Sequence, residues 1–209
     1  MLLLASASPR RRELLTQAGF RFEVAVADIP EVRAPGEHPI AFATRLAREK
    51  AATVYARVSG VDTAPREQWP VDPGPLLVLG ADTIVVVEGE VLGKPTSPAD
   101  AARMLGLLSG RTHSVITGVS LIGAELEETA AEVTYVSFQT LSDAEIEAYV
   151  ATGEPLDKAG AYAVQGYAAR WIPRIHGCYF NVVGLPLSLV ANMIEGAQVR
   201  LGLPLSHIS

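Results

Sequence analysis

Six charged side chains carry the chemistry this sequence offers: the cations Arg10, Arg11, Lys50 and Lys94 and the carboxylates Glu31 and Asp82. Together they suit a polyphosphate. The cations neutralise phosphate oxygens, carboxylates hold a hard divalent ion, usually Mg²⁺, through oxygen ligands, and one carboxylate can take a proton from water. Phosphoryl and nucleotidyl transfer rest mainly on positioning and electrostatic stabilisation, so such a set is sufficient in kind. Asp82 holds the most telling place. It lies in Gly80-Ala81-Asp82-Thr83, which closes the apolar run Leu76-Leu77-Val78-Leu79. A short apolar run ended by glycine reads as a buried strand, and open α/β sheets bind ligands at the carboxyl ends of their strands. A carboxylate and a hydroxyl are therefore expected side by side at a strand end, with Thr83 to Val87 continuing the sheet. An Asp in so apolar a stretch must be paired, hydrogen-bonded or metal-bound. A strand-end Asp that merely accepts backbone N–H bonds is the plainer alternative.

The elements that must position these groups can be read in order. Leu2 to Ala5 is a strand, and Ser8-Pro9 opens a helix, serine at the N-cap and proline where no N–H is needed. Leu14, Leu15 and Ala18 form its buried stripe and Gly19 ends it. Its first turn carries Arg10, Arg11 and Arg12, against the helix dipole, which favours cations at the other end. Free N–H groups beside guanidinium forks make an anion site suited to phosphate; three solvated arginines are the alternative. Phe20 to Val26 is expected as a strand, followed by a polar loop with Asp28, Glu31 and Glu37. Pro39 opens a long helix to about Val58 whose apolar side uses Ala43, Leu46, Ala47, Ala51 and Val54. Lys50 shares that side, either snorkelling to the surface or aimed at a cleft. Ser59 to Pro75 is Pro- and Gly-rich without periodicity and reads as an irregular loop.

Further on, a hairpin turn is expected near Glu88-Gly89, with Val91-Leu92 returning to Gly93-Lys94-Pro95. Ser97-Pro98 caps a helix that buries Ala101, Met104, Leu105 and Leu108 and stops at Gly110. His113 to Thr117 and Val119 to Ile122 read as strand, followed by a turn through Gly123 and a strand from Glu132 to Phe138. Ser142 and Glu145 form a capping box for a helix ending at Gly153. The stretch from Glu154 to Gly166 is dense in glycine and polar residues, the composition of a loop that lets backbone approach a ligand. Ile172 to Ile175 and Tyr179 to Val183 are expected as short strands around His176-Gly177, and Pro186 starts a last helix burying Leu187, Val190, Met193 and Ile194. The fold class is α/β.

Composition excludes several classes. The 209 residues are 49% hydrophobic and 19% charged, which suits one large domain or two lobes sharing a core. No apolar stretch reaches the roughly 18 residues of a membrane span. The opening Met1-Leu2-Leu3-Leu4-Ala5 lacks a basic flank and reads as a strand rather than a signal peptide. The single cysteine, Cys178, allows no internal disulfide and suits a reducing, cytoplasmic compartment. A net charge of −6 and 6% aromatics oppose a nucleic-acid polymer as partner. No G-x-x-x-x-G-K-[ST], G-x-G-x-x-G or G-x-S-x-G motif is present. The histidines His38, His113, His176 and His207 have no ligand spacing; His113 and His176 read as hydrogen-bonding residues.

Five ordered stretches carry a resemblance: L-A-S-A-S-P-R-R-R-E-L-L, G-A-D-T-I-V with G-K-P downstream, L-S-G-R-T-H-x-V-x-T-G, G-E-P-L-D-K-A-G-A-Y-A-V-Q-G, and N-V-V-G-L-P-L. From Leu3 to about Ile194 the chain resembles the Maf family of house-cleaning nucleoside triphosphate pyrophosphatases. The resemblance implies a mixed sheet in two lobes around a deep cleft, one domain over 1–209, and cleavage between the α and β phosphates to a nucleoside monophosphate and pyrophosphate. It implies Asp82 as the proton acceptor that activates water, with Lys50 and Lys94 as catalytic lysines. Ser6, Arg10 and Arg11 resemble phosphate-site residues, and Glu31 and Asp82 would hold a divalent cation, Mg²⁺ or Mn²⁺. Arg10, Thr83 and Gln165 are similar to the specificity positions of the branch acting on dTTP and UTP. A glutamine amide, donor and acceptor at once, can pair with the imide edge of uracil or thymine. Two departures stand out: the Ser59 to Pro75 stretch is longer than the family's usual connection, and Cys178 stands where serine is common. The expected partner is a small nucleoside triphosphate, without membrane, and a homodimer is compatible. The alternatives are a pyrophosphatase of broader or modified-nucleotide (7-methyl-GTP-like) specificity and a non-enzymatic regulator of septum formation.

Overall fold

The structure, a computed structural model, describes residues 1–60 and 75–202. Of the irregular stretch expected from Ser59 to Pro75, only the two ends fall within the described residues. Ser59 closes a helix, Gly60 caps it in the left-handed conformation, and the Pro75 carbonyl accepts from the Met1 ammonium at 2.8 Å.

Buried leucines at the start form β1 (Leu2–Leu4), which pairs in parallel with β2 (Glu23–Val24) on one side and β3 (Leu77–Val87) on the other. The strand expected over Phe20 to Val26 shrinks to two residues. Its partner is only three residues long, so pairing runs out. Between β1 and β2 lies α1 (Pro9–Gln17), capped by Ser8 as its sequence requires, and between β2 and β3 lies α2 (Pro39–Ser59). The mixed sheet has seven strands in the order β2-β1-β3-β5-β6-β7, with β4 (Glu90–Leu92) paired to β3, where β5 is Thr112–Gly123, β6 is Leu126–Ser137 and β7 is Arg174–His176. The remaining helices are α3 (Pro98–Leu108), α4 (Asp143–Ala151), α5 (Tyr179–Val183) and α6 (Leu187–Arg200). The α/β class is as expected, and among the described residues no helix is long and apolar enough to cross a membrane.

The chain divides into two compact units: 1–82, 118–131 and 185–209 form the first, and 83–117 with 132–184 the second. In the first, α2 lays Ala43, Leu46, Ala47, Ala51 and Val54 on the sheet, each at most 1% exposed. Ala51 and Val54 pack with Leu3, Ala5, Val78 and Ile122. Each fully buried Leu, Val or Ile contributes roughly 1.5–3 kcal/mol. Gly80 corrects the expectation of a strand end. It lies inside β3, and a Cβ there would stand 2.1 Å from the Ala47 carbonyl oxygen. Gly118, inside β5, would meet the Ala43 carbonyl oxygen at 2.3 Å. Both glycines are seats for the α2 backbone rather than turn residues.

In the second unit, β3 and β4 form a hairpin over Glu88-Gly89, both with positive φ (49° and 83°), the two-residue turn whose twist suits paired strands. The capping box at Ser142 and Glu145 has both halves in place. Two expectations change. In the part of the first unit from 118 to 131, the strand expected from Glu132 starts at Leu126, because the turn is at Ala124-Glu125, past Gly123. Tyr179 to Val183 is the short helix α5 rather than a strand; it buries Asn181, which donates to the Val115 carbonyl and the Thr134 hydroxyl, both at 3.0 Å. His113, 2% exposed, bonds the Tyr162 hydroxyl through Nε2 at 2.8 Å and packs edge-on against Phe138.

The glycine seats predict that Gly80→Ala lowers unfolding free energy by more than about 2 kcal/mol in urea titration, since the obstacle is backbone that cannot rotate aside. Burial lowers the His113 pKa to about 4. Its unfolded value, near 6.5, is higher, so the unfolded chain binds the proton first. The His113 contribution is full above about pH 6.5 and is lost as pH falls towards 4. His113→Gln should flatten the urea midpoint against pH across that window.

Candidate active site

Helix α2 brings the first part of the site together. On a strand, alternate side chains share a face, so Gly80 and Asp82 both look towards α2. Gly80 admits the helix backbone; Lys50, one turn on from Ala47, meets the carboxylate. The Lys50 Nζ donates to Asp82 Oδ1 at 2.6 Å and to Glu31 Oε1 at 2.5 Å. Lys50 and Asp82 are 8% and 6% exposed, whereas Glu31 is exposed. Lys50 is therefore no snorkelling surface lysine, and Asp82 takes a cation rather than backbone N–H bonds.

Arg11 stands beside this group, 9% exposed, with Nη1 donating to Ser6 Oγ at 3.0 Å and to the Ala81 carbonyl at 2.9 Å. The arginine run is thus split. Arg11 is buried, Arg10 half-buried and Arg12 exposed. Burial lowers the Arg11 pKa, and the Asp82 charge opposes that. Asp82 itself is raised above the usual carboxylate range by burial, with Lys50 and Arg11 pulling the other way. A carboxylate raised in this way is a stronger base for water than an exposed one.

Glu31 lies in a stretch without regular structure, and sequence reasoning missed what holds it. Arg45 of α2 forks onto the Glu37 carboxylate at 2.7 and 2.9 Å and also donates to the Val32 carbonyl at 3.0 Å. The Glu37 carboxyl is lowered to about 2, first by that hydrogen bonding from Arg45. The segment just after Glu31 is therefore tied to the same helix that carries Lys50. Glu37 was visible as a polar loop residue, but its partner eight positions on gave no signal.

The second unit holds the other expected residues. Lys94 is exposed on the turn after β4, and Gln165 is exposed on a turn between two short 3₁₀ helices (Ala159–Ala161 and Tyr167–Trp171). Thr83 follows Asp82 on β3 but points to the opposite face, so hydroxyl and carboxylate are not side by side. Its Oγ1 lies 2.9 Å from Thr117 Oγ1 and donates to the Gly184 carbonyl at 3.4 Å. Thr117 donates onward to the Asn181 carbonyl at 3.3 Å. This neutral network was hidden by reading Tyr179 to Val183 as a strand.

Among the described residues no three or more His, Cys, Asp or Glu side chains form a group that could hold a metal. His38 caps α2 through Nδ1, Cys178 precedes α5, and His207 lies outside the described residues. A pair of carboxylates does converge, since Asp82 and Glu31 both reach the Lys50 ammonium. Such a donor set fits Mg²⁺, which commonly takes one or two protein carboxylates and fills its other positions with water and substrate phosphates.

A buried acid–lysine pair with a guanidinium beside it thus stands on a mixed α/β sheet. The chain belongs to the Maf family: the family model described as "Maf-like protein" matches residues 1–197. It is 50% identical over 198 residues, 95% of each chain, to the dTTP/UTP pyrophosphatase of Koribacter versatilis, and 54% identical over 188 residues, 89% of this chain and 91% of the relative, to that of Geobacter sulfurreducens. The dTTP/UTP pyrophosphatase of Salmonella typhimurium is 52% identical over 186 residues, covering 89% of this chain and 87% of the relative.

Removing one member of a buried ion pair leaves the other uncompensated, at a cost of about 3–5 kcal/mol. Lys50→Met should therefore lower unfolding free energy by roughly that amount near pH 8. The loss should shrink as pH falls, because burial raises Asp82 and removal of Lys50 takes away the charge that opposes this, and it should be smaller in an Asp82→Asn background.

Proposed function

We propose that this chain hydrolyses dTTP and UTP to the nucleoside monophosphate and pyrophosphate. The observation that carries the reading is identity of about half over nine-tenths of the chain to dTTP/UTP pyrophosphatases. The residues that this chemistry needs are also present in chemically suitable surroundings. Asp82, raised by burial, accepts the proton of the attacking water. The water oxygen bonds to phosphorus at the α–β anhydride, the bridging P–O bond breaks, and pyrophosphate leaves with its electron pair. Lys50 holds Asp82 in place and, with Lys94, offsets charge gathering on the phosphate oxygens. Arg10, Arg11 and Ser6 bind the phosphates, Arg11 by its charge while its Nη1 is engaged with Ser6 and Ala81. Asp82 and Glu31 would hold Mg²⁺ or Mn²⁺, which when bound neutralises phosphate charge and polarises the scissile bond. Thr83 and Gln165 read the base. On this reading one pyrophosphatase domain spans 1–209.

A panel of nucleoside triphosphates, with pyrophosphate release as readout, tests this. Turnover should be highest with dTTP and UTP, and Asp82→Asn should lower kcat by about 10²–10⁴ while the far-UV spectrum stays native. Preference for 7-methyl-GTP would place the chain in the other specificity branch, and no pyrophosphate from any nucleotide would end the enzymatic reading.

A further inference from the structure

Gln165 is exposed on its turn, and an exposed amide reads a base only if the backbone beneath it is fixed. The fixing is done by two residues with no role in the mechanism above. Tyr149 of α4 is fully buried, and its hydroxyl accepts the Ala163 N–H at 3.4 Å. The same hydroxyl donates to Glu154 Oε1 at 2.8 Å, and the Glu154 carboxylate accepts the Tyr167 N–H at 3.2 and 3.3 Å. Ala163 and Tyr167 are the two stems of the Gln165 turn, so one chain of hydrogen bonds runs from stem to stem beneath it. The turn closes on itself through Gly166 N–H to the Ala163 carbonyl at 3.1 Å.

Two further observations point the same way. A Cβ at Gly166 would lie 1.9 Å from Glu154 Oε1, so the carboxylate occupies space only glycine leaves open. The Tyr149 ring stacks on Tyr167 and meets Trp171 edge-on, which holds the hydroxyl in register. Burial, then the bond to Glu154, raises the Tyr149 pKa, so it remains a proton donor.

We infer that Tyr149 and Glu154 are positioning residues that clamp the Gln165 turn and thereby set pyrimidine-nucleotide recognition. The inference rests on the pyrophosphatase reading above. Neither residue touches substrate in this account; both act through Gln165.

The test combines steady-state kinetics with amide hydrogen exchange on the full chain carrying Tyr149→Phe, Glu154→Gln or Gly166→Ala, each alone and with Gln165→Ala. Each single variant should raise KM for dTTP and UTP about tenfold, the size of one net hydrogen bond, with kcat nearly unchanged. Exchange should quicken at residues 163–167. In the Gln165→Ala background the same changes should add nothing further to KM, because the residue they position is gone. Additive effects there, or wild-type KM despite faster exchange, would overturn the inference, as would unchanged exchange. Absence of dTTP and UTP turnover in the wild type would instead remove the pyrophosphatase reading and the Gln165 role with it, while exchange would still report whether the clamp exists.

Discussion

The contact between Lys50 and Asp82 is the constraint around which the first unit is arranged. Two opposite charges lie under a tenth exposed and within 2.6 Å of one another. Bringing them there needs a helix backbone closer to the sheet than side chains on both surfaces would permit. Gly80 and Gly118 remove that obstacle on two strands, and Ala43, Ala47 and Ala51 keep the helix side slim. The apolar burial along α2 supplies the stabilisation that the buried pair does not, since such a pair roughly offsets its own desolvation at best. The helix is thus held by its alanines, leucine and valine, and the holding is what aims the lysine.

The charges of this group are balanced, with Arg11 and Lys50 against Asp82 and Glu31. The balance is uneven in depth. Asp82 and Lys50 have little water to turn to, so neither can leave without a large penalty. Glu31 is about half exposed, and an ion pair at such a position is weak and replaceable. On the proposed function, a polyphosphate approaching Lys50 competes with Glu31 and not with Asp82. The carboxylate proposed as base is then the one the fold immobilises.

Much of this was legible in the sequence because the signals were strong and local. Ser8-Pro9, Ser97-Pro98 and the Ser142–Glu145 box gave three helix starts, and the stripe from Ala43 to Val54 gave α2 with Lys50 on its buried side. The misreadings have common physical causes. Glycine ends strands and also seats helices on them, and Gly80 does the second while its flanking residues suggest the first. Five residues such as Tyr179 to Val183 are too few to separate a two-residue period from a helical one. Neutral networks such as Thr83–Thr117–Asn181 leave no trace in charge or periodicity, and the Glu37 and Arg45 partnership crosses a loop whose path no pattern predicts.

Asp82 and Thr83 are neighbours in the chain and strangers in the fold. The pleat sends one to a charged pair beneath α2 and the other to hydroxyls and carbonyls. On the proposed assignment this separates chemistry from base reading by a single peptide bond. The two networks also differ in what a substitution costs: several kcal/mol for one partner of a buried ion pair, about 1 kcal/mol for one neutral hydrogen bond. On that assignment the fold can change the residues proposed to read the base, at Thr83 or on the turn bearing Gln165, for a penalty its marginal stability tolerates. It cannot do the same at Asp82 or Lys50. On that assignment base preference can be altered at a small cost in stability, while Asp82 and Lys50 stay fixed by the packing that buries them.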